Sequence, residues 1–269
     1  MTRRRLSRES APAAPPVEVD RPSEEERPLL ERSDVPIIAG AFVLGIATVA
    51  LVRWWRRGAA SGTDHGPFRE DIVQTSSATG YAALKDEYTA LYDSMQVRPE
   101  RLAAVDQRAR AIEANKARYE AVGAPLGIPW YFLGAVHSLE SSLRFNAHLH
   151  NGDPLTAKTV QTPRNRPLTG ESPFTWEESA TDAMRLKSLQ AWTDWSAPGI
   201  LWQLERYNGF GYRPRRLATP YLWSGSNHYV KGKFVSDGRY DPDAVSAQIG
   251  AAVLLKRMEA LGIIPGLAR

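Results

Sequence analysis

Residues 130–155, WYFLGAVHSLESSLRFNAHLHNGDPL, decide how the rest of this chain is read. Pro129 stands just before them, where the missing N–H of a proline costs the first turn of a helix nothing. Phe132, Val136, Leu139 and Leu143 then recur at spacings of four, three and four, which marks one apolar face of an α-helix. Glu140 follows Leu139 on the border of that face, in the last turn or two. Partial burial there disfavours a charged carboxylate, and so does the negative end of the helix dipole. A Glu held protonated near neutral pH has the property a general acid needs. The competing reading is a boundary Glu in an ordinary ion pair, with Arg144 at i+4 or His137 at i−3.

Outward from this helix the chain divides by composition. Residues 1–34 are rich in Pro, Arg, Glu and Ser and nearly free of aromatics, so they cannot bury enough apolar area to offset ordering; a disordered tail is expected. Val35 to Val52 is a run of eighteen residues without a charge, and Trp54 and Trp55 follow it. That length crosses a bilayer core and the tryptophans suit an interface, so residues 35–55 read as one transmembrane helix. RWWRR occupies the place where a signal peptide would carry small residues for cleavage, which favours an uncleaved anchor. Arg residues flank both sides of the run, so the positive-inside rule gives no orientation. Residues 56–67 contain GAASGTDHG and read as a flexible linker.

From residue 68 to 269 the pattern is that of one compact, mainly α-helical domain. Helices are expected near Tyr81–Ser94, Arg101–Val122, Trp176–Gln190, Gly199–Tyr207 and Pro242–Ala260, besides the one after Pro129. Residues 149–173 form a long stretch full of Pro, Gly, Thr and Asn, expected to be a functional loop or to hold a small hairpin. The chain has no cysteine, which excludes disulfides, thiolate metal sites and thiol nucleophiles. A net charge of +4 is compatible with anionic envelope polymers or with nucleic acid and is diagnostic of neither; nucleic acid is not expected as a partner. His148, His150 and Asp153 form an H-x-H-x-x-D cluster, but its spacing fits no zinc signature, so neither metal nor cofactor is expected.

LESSLRF (139–145) resembles the Glu-Ser-x-x-Phe core of goose-type lysozymes and soluble lytic transglycosylases. ERYNGFGYR (205–213) is similar to the Tyr-Asn-x-Gly element of the same superfamily. HLHNGDPLTAKTV, PFTWEESATDAM, YNGFGYR, PYLWSGSNHY and SDGRYDP, in this order, look like a group of bacterial and phage lysozymes. The resemblance covers Pro129–Met258. It implies a lysozyme-like α-helical domain that cleaves the MurNAc–GlcNAc β-1,4 bond of peptidoglycan, from the periplasmic side of a bacterial inner membrane or on a phage particle. Glu140 takes the general acid/base role. Tyr207 and Asn208 line the cleft, Gly209 allows close approach of the sugar, and Ser141 supports the helix end. The long HNGDPLTAKTVQTP loop replaces the Gly-Leu-Met-Gln segment of the transglycosylases, so hydrolysis and transglycosylation both stay open.

Glycosidases usually pair two carboxylates. Asp153 is the nearest to Glu140 in sequence, in a loop expected to fold back over the helix end, although Gly-Asp-Pro is also an ordinary turn sequence. Glu177, Glu178 and Asp182 are further candidates, but Thr175-Trp-Glu-Glu equally reads as a helix start with acids in its first turn. Of the many aromatics after residue 175, Trp176, Tyr221 and Trp223 are expected in the cleft, because they stand in loop-like motifs. The alternative to an enzyme is a non-catalytic peptidoglycan-binding module, or a structural part of a phage particle or secretion machine.

Overall fold

The computed structural model describes residues 73–236 and 238–269. The expected tail, transmembrane helix and linker lie outside them. Among the described residues no helix is long and apolar enough to cross a membrane. The described residues are mainly helical, with eight α-helices and one two-stranded sheet among them.

Helix α1 spans Tyr81–Ser94, α2 Leu102–Glu113, and α3 Lys116–Gly123. The expected single helix over Arg101–Val122 is thus broken, and Asn115 is the reason. Its Nδ2 bonds the Ala111 carbonyl and its N–H the Ile112 carbonyl, closing α2. Its own carbonyl accepts the first amides of α3, from Arg118 and Tyr119.

Helix α4, Trp130–Ser141, is the centre of the domain. Phe132, Leu133, Ala135, Val136 and Leu139 are all buried, so the helix is enclosed nearly all round rather than on the one face its periodicity suggests. The α2–α4 packing depends on Gly134, where an added Cβ would sit 2.3 Å from Ile112 Cγ2. The helix ends on two successive non-glycine residues with positive φ, Ser142 at 53° and Leu143 at 62°. The Leu143 amide bonds back to the His137 carbonyl, which satisfies a group that the end of the helix leaves open.

The long loop follows and carries no strand; its one bridge joins Ala147 and Pro154. Helix α5, Trp176–Leu186, starts at a capping box: Thr175 Oγ1 accepts the Glu178 amide while Glu178 Oε2 accepts the Thr175 amide. Helix α6, Ala197–Asn208, packs on α1. A short α7, Pro220–Trp223, leads to the hairpin β1 (Lys233–Ser236) and β2 (Arg239–Asp241), antiparallel with Phe234 opposite Tyr240. The hairpin therefore lies well after the loop in which one was allowed for.

Helix α8 is Ala251–Ala260, starting nine residues later than expected from Pro242. The carbonyls of residues 246–248 are turned outward to other partners. Ser224 Oγ lies 3.1 and 2.8 Å from those of Ser246 and Gln248, and Arg101 Nη2 donates to those of Ala247 and Gln248. Gly250 then passes so close to α7 that a Cβ would meet the Leu222 carbonyl oxygen at 2.2 Å. Gln248 Nε2 donates to the Leu139 carbonyl, tying this segment to the last turns of α4.

Candidate active site

Glu140 is only 6% exposed. Neither ion pair considered for it forms: Arg144 Nε donates to the Ser141 carbonyl, and His137 is held between the Tyr119 hydroxyl and the Arg144 carbonyl. A carbonyl can only accept, so His137 carries its proton on Nε2 and receives the tyrosine hydroxyl at Nδ1. Burial pushes its pKa down to about 4 and keeps the ring neutral. The partner of Glu140 is Tyr221, whose hydroxyl donates to Oε1 over 2.9 Å.

Four elements converge here. Helix α4 brings Glu140, α7 brings Tyr221, the end of α6 brings Tyr207, and the residue closing α5 is Lys187. Burial pushes the Glu140 carboxyl up to about 7; the Tyr221 hydrogen bond and the Lys187 charge act against that rise without cancelling it. Burial, together with the nearby Glu140, holds the hydroxyls of both Tyr207 and Tyr221 well above the usual tyrosine range, so both stay protonated. Lys187 is lowered by burial, with Glu140 opposing the shift. Its Nζ donates to the Tyr207 carbonyl at 3.0 Å and sits 5.0 Å from the centre of the Tyr207 ring. The result is one carboxyl that changes charge near neutrality, two neutral phenols and one cation.

The remaining expected residues divide into those at this centre and those elsewhere. Ser141 is buried and its hydroxyl reaches back to the His137 carbonyl, bracing the end of α4. Asn208 ends α6, half-buried, and Gly209 follows with φ 95° and ψ 149°, a conformation open to glycine. Tyr207 sends its hydroxyl to the Leu149 carbonyl in the loop after α4.

Trp176 and Trp223 are corrections. Each is 1% exposed, so neither offers a ring face to a sugar. Trp176 packs among His137, Phe145 and Tyr119, with ring centroids 4.7, 5.0 and 5.5 Å away. Trp223 lies in the core, edge-on to His228.

The loop carrying Asp153 does fold back over the end of α4, since a Cβ on Gly152 would lie 3.6 Å from the Glu140 carbonyl oxygen. The Asp153 carboxylate, however, organises the loop itself. Its Oδ2 accepts the amides of Val160 and Gln161 at 2.9 and 3.0 Å and the Asn151 side chain at 3.1 Å. The other carboxylates are committed as well: Glu177 to Arg118, Glu178 to the α5 cap, Asp182 to His150 and Arg166. His148 and His150 both meet Ser179, and their Nε2 atoms go to the Ala157 carbonyl and to Asp182. Among the described residues no group of three or more His, Cys, Asp or Glu could hold a metal.

Lys187 is the site residue that sequence reasoning missed. A lysine after a helix reads as a partner for the helix dipole, and only the tertiary packing turns it toward Tyr207. No protein-family model, curated protein or solved structure matches this chain.

Proposed function

We propose that this chain is a lysozyme-like enzyme that cleaves the MurNAc–GlcNAc β-1,4 bond of peptidoglycan glycan strands, with Glu140 as general acid/base. One observation carries the reading. A glutamate 6% exposed, at the end of a helix enclosed nearly all round, is bonded to a neutral phenol instead of a cation and titrates near neutrality. Protonated, it can give its proton to the oxygen of the leaving sugar; ionised afterwards, it can take one from the incoming nucleophile. Tyr221 and Lys187 both favour the ionised form that exists between the two steps.

A structural helix-end Glu would be expected to pair with Arg144 or reach solvent. The absence of a second unengaged carboxylate among those considered favours a one-carboxylate mechanism, in which a group of the substrate itself assists departure. In a membrane setting, the apolar run at 35–52 would keep the enzyme beside the wall it cuts.

The test is clearing of cell-wall suspensions by the full chain, with mass spectrometry of the released fragments. Reducing ends would indicate hydrolysis, and anhydro ends transglycosylation. Glu140→Gln should abolish release by about a hundredfold or more. Retained release in that variant overturns the assignment, and binding of sacculi without any release by the wild type points to a binding module.

A further inference from the structure

The long loop between α4 and α5 is fastened to α5 by a buried network of polar side chains that the proposed reaction does not use. Ser179 and Asp182, three residues apart and so on one face of α5, meet His148 and His150 of the loop. Ser179 and His148 are 0% exposed, and so is the His150 side chain. Serine, histidine and aspartate in contact suggest a nucleophilic triad, but a hydroxyl with no exposure cannot reach a substrate.

The proton positions follow from the acceptors. In the neutral His148 ring, Nε2 donates to the Ala157 carbonyl at 2.8 Å, so Nδ1 receives the Ser179 hydroxyl at 2.9 Å. His150 Nε2 donates to Asp182 Oδ2 at 2.8 Å. Ser179 has one proton and gives it to His148, so His150 Nδ1, 3.4 Å from the same oxygen, keeps an unshared lone pair. That atom is where the network takes up a proton. The surroundings oppose uptake. Asp182 already shares its charge with Arg166 Nη1 of the loop at 3.4 Å and with the Leu168 amide. Asp153, in the same loop, is turned to the Val160 and Gln161 amides, and Tyr207 of α6 donates a neutral hydroxyl to the Leu149 carbonyl. A proton on His150 would thus set two cations on one carboxylate around a side chain with no exposure. Burial, with His148 and Arg166 adding to it, pushes the His150 pKa down to about 4 against the pull of Asp182.

We propose that this network is a pH-sensitive latch, which holds the loop on α5 while both rings are neutral and releases it when His150 Nδ1 takes up a proton. A released loop exposes His150 to water, where it titrates at its ordinary 6.5. Between 6.5 and about 4 the open loop binds the proton and the closed one does not, so falling pH shifts the balance toward opening. The same loop carries the Leu149 carbonyl that receives Tyr207, and Gly152 beside the end of α4. Opening would therefore loosen the candidate site, a consequence that rests on the function proposed above.

Amide hydrogen exchange of the full chain reads the latch, with wild type compared against His150→Gln at the same pH so that intrinsic exchange rates cancel. Glutamine keeps a donor for Asp182 and takes up no proton. The ratio of exchange rates, wild type over variant, should rise on the order of fiftyfold between pH 7.5 and pH 4.5 for loop amides such as those of Leu155, Val160 and Gln161. In α8 the ratio should stay flat. A flat ratio in the loop, or an equal rise in α8, overturns the proposal. If His150→Gln folds poorly, wild type labelled at its five histidines decides by magnetic resonance. His150 should titrate below 6.5, and a midpoint at or above 6.5 overturns the latch, because uptake would then tighten the loop. If exchange shows the latch but no glycan is cut, the catalytic reading falls and the latch stands. If strands are cut and the loop ratio is flat, the reverse holds.

Discussion

The hydroxyl of Tyr221 donates to Glu140 Oε1 at 2.9 Å, joining residues eighty-one positions apart. That bond is the main opposition to the burial that raises the carboxyl, so removing it has a definite sign. In Tyr221→Phe the ionised form loses its donor, and the descending alkaline limb of activity should move up from near 7 by about one pH unit. Lys187→Met removes the other opposing influence and should move the limb the same way, with Lys187→Arg restoring it. A pH–rate profile on glycan strands checks both. A limb that stays put in both variants means that Glu140 does not set it.

The same burial should be visible in stability. Glu140 ionises at an ordinary 4.5 when unfolded and at about 7 when folded. Below 4.5 both states are protonated and the group contributes nothing. As pH rises from 4.5 to 7 the unfolded chain ionises first, so folding is progressively penalised, and the penalty is constant above 7. Glu140→Gln removes it while keeping an acceptor for Tyr221. The variant should therefore be more stable than wild type at pH 8 by on the order of 3 kcal/mol, with little difference at pH 4. Denaturant titrations at the two pH values measure this, and a stabilisation independent of pH would contradict it.

How far the sequence reached follows from which residues answer to local rules. Helix α1 begins and ends where its pattern places it, and the α5 start is written in the spacing of Thr175 and Glu178. The burial of Glu140 was legible because its neighbours are periodic. Trp176 and Trp223 went wrong for a different reason: an aromatic in a loop-like motif says nothing about which way its ring turns. Trp176 turns inward because Tyr119, Phe145 and His137 form a nest for it, and those residues come from α3, α4 and the segment after α4. Residues 242–250 look helical by composition, yet Ser224 and Arg101 draw their carbonyls away. Tertiary partners that distant leave no local trace.

Glu205 and Arg213 open and close the ERYNGFGYR segment, and they form a two-pronged pair, Nε to Oε1 at 2.8 Å and Nη2 to Oε2 at 2.7 Å. Both residues are 1% exposed, and Tyr88 adds a third bond to the carboxylate. The pair pins the turn after α6 against α1, where Glu87 also meets Arg213. Arg213→Met leaves the Glu205 charge buried without its counterion and should cost about 3–5 kcal/mol. Adding Glu205→Gln removes the stranded charge and should recover part of the loss, as equilibrium unfolding of the single and double variants would measure.

Under the proposed function Asp153 is a structural carboxylate and Glu140 the catalytic one. If Asp153 were a nucleophile or base, Asp153→Asn would reduce turnover by a factor on the order of a hundred to ten thousand while leaving stability nearly intact. Its geometry argues otherwise, because the two backbone amides and the Asn151 side-chain amide bonded to Oδ2 commit the carboxylate to holding the loop together. Asparagine keeps a carbonyl oxygen for those amides but loses the charge that strengthens the bonds. The expected outcome is a stability loss of about 1–2 kcal/mol and a turnover decrease of less than about tenfold, through loosening of the loop beside α4. Measuring unfolding and turnover on the same preparation decides between the roles. A collapse of turnover in a protein of unchanged stability would make Asp153 the second catalytic carboxylate and Glu140 one half of a pair.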